Sequence, residues 1–140
     1  MTNEEIVSRL FENLDSRNYE TAAEVMDETF LISGVFPFPF NKAMWVGSTK
    51  AIHSAFSDFK FNASNYKVNG DQVNFTIKLM GTHDGDLTIP GLPPMPASGK
   101  FITIPEERGS ARVVNGKIVG MQLEPSENGG LRGILQQLTS

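Results

Sequence analysis

The apolar periodicity of this chain changes once, near residue 60, from about 3.6 residues to 2. Before that point the pattern is helical. Thr2 is an N-cap with Glu5 three residues on, the pairing of a capping box. Ile6, Leu10 and Leu14 recur at four-residue spacing beside Val7 and Phe11, which predicts a helix over about 3–15. Asp15-Ser16-Arg17-Asn18 ends it, and a second helix over about 19–27 carries Ala22, Val25 and Met26. A third helix is expected after a turn at Gly47, capped by Ser48, with a stripe of Ile52, Ala55, Phe56 and Phe59. Phe30 to Ser33 reads as a short strand between the last two.

After residue 60 strands take over. Val73, Phe75, Ile77 and Leu79 alternate with Asn74, Thr76, Lys78 and Met80, a half-buried strand of an antiparallel sheet. Asn69-Gly70 and Asn115-Gly116 mark hairpins, the second joining strands over about 108–114 and 117–124. Helices early and strands late indicate an α+β fold, not alternating α/β. With 140 residues and no internal repeat, the chain is expected to form one domain, 1–140.

Two stretches resist the pattern. Gly34 to Phe40 holds three Phe and two Pro on an extended segment that cannot complete a ladder. It reads as a hydrophobic plug, a pocket wall or a dimer contact. Residues 84–99 contain four prolines, and loops of that length in a compact domain are often functional rims or lids.

Composition removes several functions. Cysteine is absent, which excludes disulfides, thiol nucleophiles and thiolate metal sites. The net charge of −4 and the lack of a basic stripe argue against a nucleic-acid surface. No apolar run reaches the length of a membrane helix or a secretory signal, so a cytoplasmic protein is expected. There is no Ser/His/Asp arrangement, phosphate loop or zinc pattern. Asp84 and Asp86 beside His83 read as turn chemistry, or as carboxylates paired with the imidazole, and are weak evidence for a metal.

Four segments resemble the NTF2-like superfamily, and within it the SnoaL-like polyketide cyclase and ester cyclase group. They are Glu4 to Leu10 with Asp15 to Tyr19; Trp45-Val46-Gly47 to Ile52; Gly81-Thr82-His83-Asp84-Gly85 followed by a Gly-Leu-Pro-Pro loop and Gly99-Lys100; and Asn115 to Val119 with Gly133 to Leu138. The resemblance spans nearly the whole chain. It implies a cone with three N-terminal helices in the concave face of a curved mixed or antiparallel sheet, a homodimer, and a small apolar molecule as ligand. It also implies cofactor-independent acid/base chemistry of the aldol, cyclase or isomerase type, with no metal. The same fold serves non-catalytic binding proteins and dimeric scaffolds.

The candidate residues follow. His83 shares strand parity with Val73, Phe75, Ile77, Leu79 and Gly81, so it either moves protons at the pocket mouth or is held structurally by the 84–99 loop. In the last hairpin, pairing Val113 with Ile118 continues to Arg112 with Val119, Ala111 with Gly120 and Glu107 with Glu124. Alternation leaves open which face is inward. Register with the family makes Gln122 and Glu124 inward, with Ser126 where the family acid falls and Glu127 beside it. The candidates for proton transfer are His83, from its parity, and Glu124 or Glu127, from the family's acid position; those for the ligand wall are Trp45, Phe56, Tyr66, Phe75 and Gln122. His53 is expected on a solvated helix flank.

Overall fold

The computed structural model describes residues 1–34, 38–88 and 93–139. Helix α1 (Asn3–Asp15) opens on the expected capping box: the Glu5 amide donates to the Thr2 hydroxyl and the Thr2 amide to the Glu5 carboxylate. Its inner row, Ile6, Val7, Leu10, Phe11 and Leu14, is fully buried. Helix α2 (Tyr19–Glu24) is shorter than expected, because Met26 already belongs to the strand β1 (Met26–Ser33). A two-residue strand, β2 (Phe40–Asn41), precedes α3 (Lys42–Ala55).

The start of α3 corrects the sequence expectation. Gly47 lies inside the helix, and Asn41 is the cap, accepting from the Met44 amide at 2.9 Å. A glycine within a helix costs about 1 kcal/mol relative to Ala. Burial of Trp45, stacked on Phe30 with ring centroids 5.7 Å apart, outweighs that cost.

Strands β3 (Ser64–Asn69), β4 (Gln72–Ile77), β5 (Met80–Thr82), β6 (Phe101–Thr103), β7 (Glu107–Val114) and β8 (Lys117–Glu124) follow, and α4 (Gly130–Thr139) closes the chain. Six strands form one curved sheet in the order β2-β1-β8-β7-β4-β3, and β5 pairs with β6. Among the described residues, only the β1–β8 pairing is parallel. Both hairpins expected from Asn-Gly are present. At the second, Asn115 and Gly116 take φ of +51° and +76°, the two left-handed residues of a type I′ turn.

The register of that hairpin differs from expectation. Val113 faces Ile118, but Arg112 faces Gly120, so Val119 is an extra residue in β8. The bulge flips the parity of everything beyond it. Met121 and Leu123 are buried, while Gln122 and Glu124 are exposed. The inward assignment of Gln122 and Glu124 is therefore overturned. Strand β7 is not bulged, and Glu107, Gly109, Ala111 and Val113 all face inward.

The 84–99 stretch is a ribbon as far as it is described. Leu87 and Met95 exchange both backbone hydrogen bonds, at 2.8 and 2.9 Å. Its root is fastened to the end of α3, where the Asp84 and Gly85 amides donate to the Ala55 carbonyl. Of the Phe-rich segment, residues 35–37 lie outside the described residues, as does 89–92 of the ribbon.

Candidate functional site

Between the helices and the concave face of the sheet lies a cavity of about 760 Å³. Helix α3 supplies Trp45, Thr49 and Ile52. The turns after it supply Phe59 and Phe61, the sheet side Ile77, Leu79 and Leu123, and α4 supplies Leu131 and Ile134. Leu87 reaches in from the ribbon. Phe38, Met44, Gly47, Ala51, Thr88 and Pro125 are exposed and form the rim. A space of this size falls in the usual range for small-molecule sites.

Among the described lining residues, one carboxyl interrupts the apolar wall. Glu107, the first residue of β7, is 2% exposed, and its Oε1 accepts from the Gly130 amide at 2.6 Å. That amide is the first of α4, so the carboxyl occupies the positive end of the helix. Burial pushes the Glu107 carboxyl above its ordinary value, and the Gly130 hydrogen bond offsets part of that rise. Among the described residues, the hydrogen bond that this carboxyl makes uses Oε1. The geometry is that of a carboxyl held through one oxygen at the cavity wall.

The other hydroxyls deep in the wall are committed. Ser48 and Thr49 both donate to the Trp45 carbonyl, each at 2.9 Å.

Of the residues singled out from the sequence, Trp45 lines the cavity. Phe56 and Phe75 are core residues outside its lining, and Tyr66 is half-buried against Phe75. Gln122 lies on the opposite face of the sheet, and Glu124 and Glu127 are exposed. His83 is 1% exposed but sits behind the wall, stacked on Phe56 at 5.2 Å. Its Nδ1 accepts from the Ser98 amide at 3.3 Å and lies 2.8 Å from the Ser98 hydroxyl. His83 thus clamps the two sides of the ribbon root. His53 is also buried, not solvated, with Nδ1 2.5 Å from the Tyr19 hydroxyl; burial depresses it to about 4.

Glu107 was not singled out from the sequence. The signal was present, since it shares parity with Ala111 and Val113, but reading it required knowing that this face is inward.

No protein-family model and no curated protein matches the chain. Solved structures do. A candidate SnoaL-like polyketide cyclase from Jannaschia sp. CCS1 superposes with a TM-score of 0.78 at 18% identity, covering 99% of this chain and 92% of that one. IdmH, a candidate polyketide cyclase from Streptomyces antibioticus, gives 0.75 at 22% identity with both chains covered at 100%. The chain has the SnoaL-like fold. The same fold carries AclR, a candidate hydroxylase from Streptomyces galilaeus (TM-score 0.77, 15% identity, covering 98% of this chain and 95% of that one), so the SnoaL-like fold does not by itself name a reaction. Among the described residues no helix is long and apolar enough to cross a membrane, and no cluster of His, Asp and Glu could hold a metal ion.

Proposed function

We propose that the chain binds one apolar carbonyl compound in this cavity and that Glu107 exchanges a proton with it, as in ring closure or isomerisation next to the carbonyl. The observation that supports this is a roughly 760 Å³ apolar cavity interrupted by one buried carboxyl with a raised pKa. Burial brings the Glu107 carboxyl closer to neutral pH, so the carboxylate can take a proton from the carbon beside a carbonyl and return it in a later step. The SnoaL-like neighbours described as polyketide cyclases agree with this class of chemistry. His83, Glu124 and Glu127, assigned from the sequence, do not line the cavity, and the reading uses Glu107 in their place.

The test needs no native substrate. Hydrogen–deuterium exchange at the methyl group of 2-acetonaphthone, an apolar aryl ketone, is followed by NMR. The protein accelerates exchange, and Glu107→Gln lowers the acceleration by about 10²–10⁴, the usual share of a general acid/base. Equal rates for the two proteins reject the role of Glu107.

A further inference from the structure

Two adjacent glycines meet the Glu107 carboxyl, and they are glycine for different reasons. Gly130 has φ of +60°, in the left-handed region, where a side chain strains the backbone. Gly129 is buried and lies outside that region, so its backbone does not call for glycine. Space does. A Cβ on Gly129 would lie 2.7 Å from Glu107 Oε1, 2.8 Å from Ser126 Oγ and 3.1 Å from the Ser126 amide nitrogen. The Glu107 oxygen in that set is the one that accepts from the Gly130 amide at 2.6 Å. The carboxyl thus rests on the bare Cα of one glycine while it receives the amide of the next.

The backbone at Gly129 is itself fixed. Its amide donates to the Ser126 carbonyl and its carbonyl receives the Gly133 amide, each at 2.9 Å. A methyl added there therefore moves the side chains it meets, not the turn. Glu107 and Gly130 line the cavity, whereas Gly129 lies behind it. We infer that Gly129 is a positioning residue for the acid of the cavity: its missing side chain lets the Glu107 carboxyl reach the Gly130 amide. This rests on the reading that Glu107 exchanges a proton with the ligand, and it names the residue that holds the acid in place.

Gly129→Ala tests it. The two closest contacts of the new methyl are the ends of flexible side chains, so the fold is kept while the carboxyl leaves Gly130. Ser126→Ala removes the other contact and leaves the carboxyl seated. Carbon-13 NMR of glutamate-labelled protein reads the Glu107 carboxyl, assigned by its loss in Glu107→Gln. The Gly130 hydrogen bond favours the charged form, so Gly129→Ala moves the titration midpoint up and Ser126→Ala leaves it in place. Methyl exchange of 2-acetonaphthone slows about 10- to 100-fold in Gly129→Ala, the effect of a misplaced reacting group. KM changes by less than about twofold, because the interaction lost is not a ligand contact. Added to Glu107→Gln, the same substitution slows exchange no further. Its cost in urea is smaller in a Glu107→Ala background, where the carboxyl is gone.

An unchanged midpoint in Gly129→Ala overturns the inference. So does a further fall in exchange on the Glu107→Gln background, or a cost in urea that Glu107→Ala does not reduce. Absence of acceleration by the unaltered protein rejects the proton-transfer reading instead, and the carboxyl midpoint still decides the role of Gly129.

Discussion

The carboxyl of Glu107 and the amide of Gly130, 2.6 Å apart, join the first residue of β7 to the first residue of α4. This contact places the acid of the cavity and fastens the helix that closes it. Its energetics depend on pH in a defined direction. An acid whose pKa is raised in the fold binds more protons folded than unfolded, so stability is greatest below the ordinary value of 4.5 and falls as pH rises through the raised one. Glu107→Gln flattens that part of the profile. Urea denaturation of both proteins between about pH 4 and 8 measures it; a constant stability difference over the range contradicts the assignment.

His53 has the opposite sign. Burial depresses it from 6.5 to about 4, so the unfolded chain binds the proton first, and stability is full above 6.5 and lost as pH falls toward 4. The NMR titration of its ring is expected to show no protonation above about pH 5. Tyr19→Phe removes the hydroxyl at Nδ1 and costs about 1–3 kcal/mol, because a buried imidazole nitrogen then lacks its partner. A midpoint near 6.5 would remove the basis for both statements.

Gly109 lies under an aromatic ring. A Cβ there would sit 2.6 Å from Phe75 Cε2 and 2.9 Å from Leu123 Cδ2, closer than side-chain carbons approach. Gly109→Ala is expected to destabilise by about 1–3 kcal/mol through overpacking. Phe75 also meets Phe11 edge-on at 5.0 Å, so the strain reaches α1. Chemical denaturation decides the matter, and a loss below about 0.5 kcal/mol means the ring moves aside freely.

His83 is expected to matter for the ribbon more than for chemistry. His83→Ala frees the Ser98 amide and opens the root, so amide exchange of Ser98 and Gly99 accelerates at least tenfold. Ketone exchange under the Glu107 assay changes by less than about tenfold, since an acid/base group contributes more than that. A larger fall would return His83 to the site.

The comparison between sequence and structure separates by element. Helix α1 was legible because its cap, its i,i+4 row and its burial agree. The hairpins were legible because Asn-Gly supplies the left-handed backbone a tight turn needs. The start of α3 was not, since Gly47 reads locally as a break and only the packing of Trp45 overrides it. A helix begun at Lys42 buries the row Trp45, Thr49, His53, whereas the apolar spacing of Ile52, Ala55 and Phe56 drew attention to another face. The site was misread for a different reason. Alternation carries phase along a strand only while no residue is inserted, and nothing in Val119-Gly120 announces the bulge.

That single extra residue also decides what a new side chain on the last strand would meet. A count of two carried straight through Val119 turns positions 122 and 124 towards the helices, whereas the backbone turns Met121 and Leu123 there. A charge introduced at 122 or 124 therefore meets water, and the same charge at 121 or 123 is forced into the core.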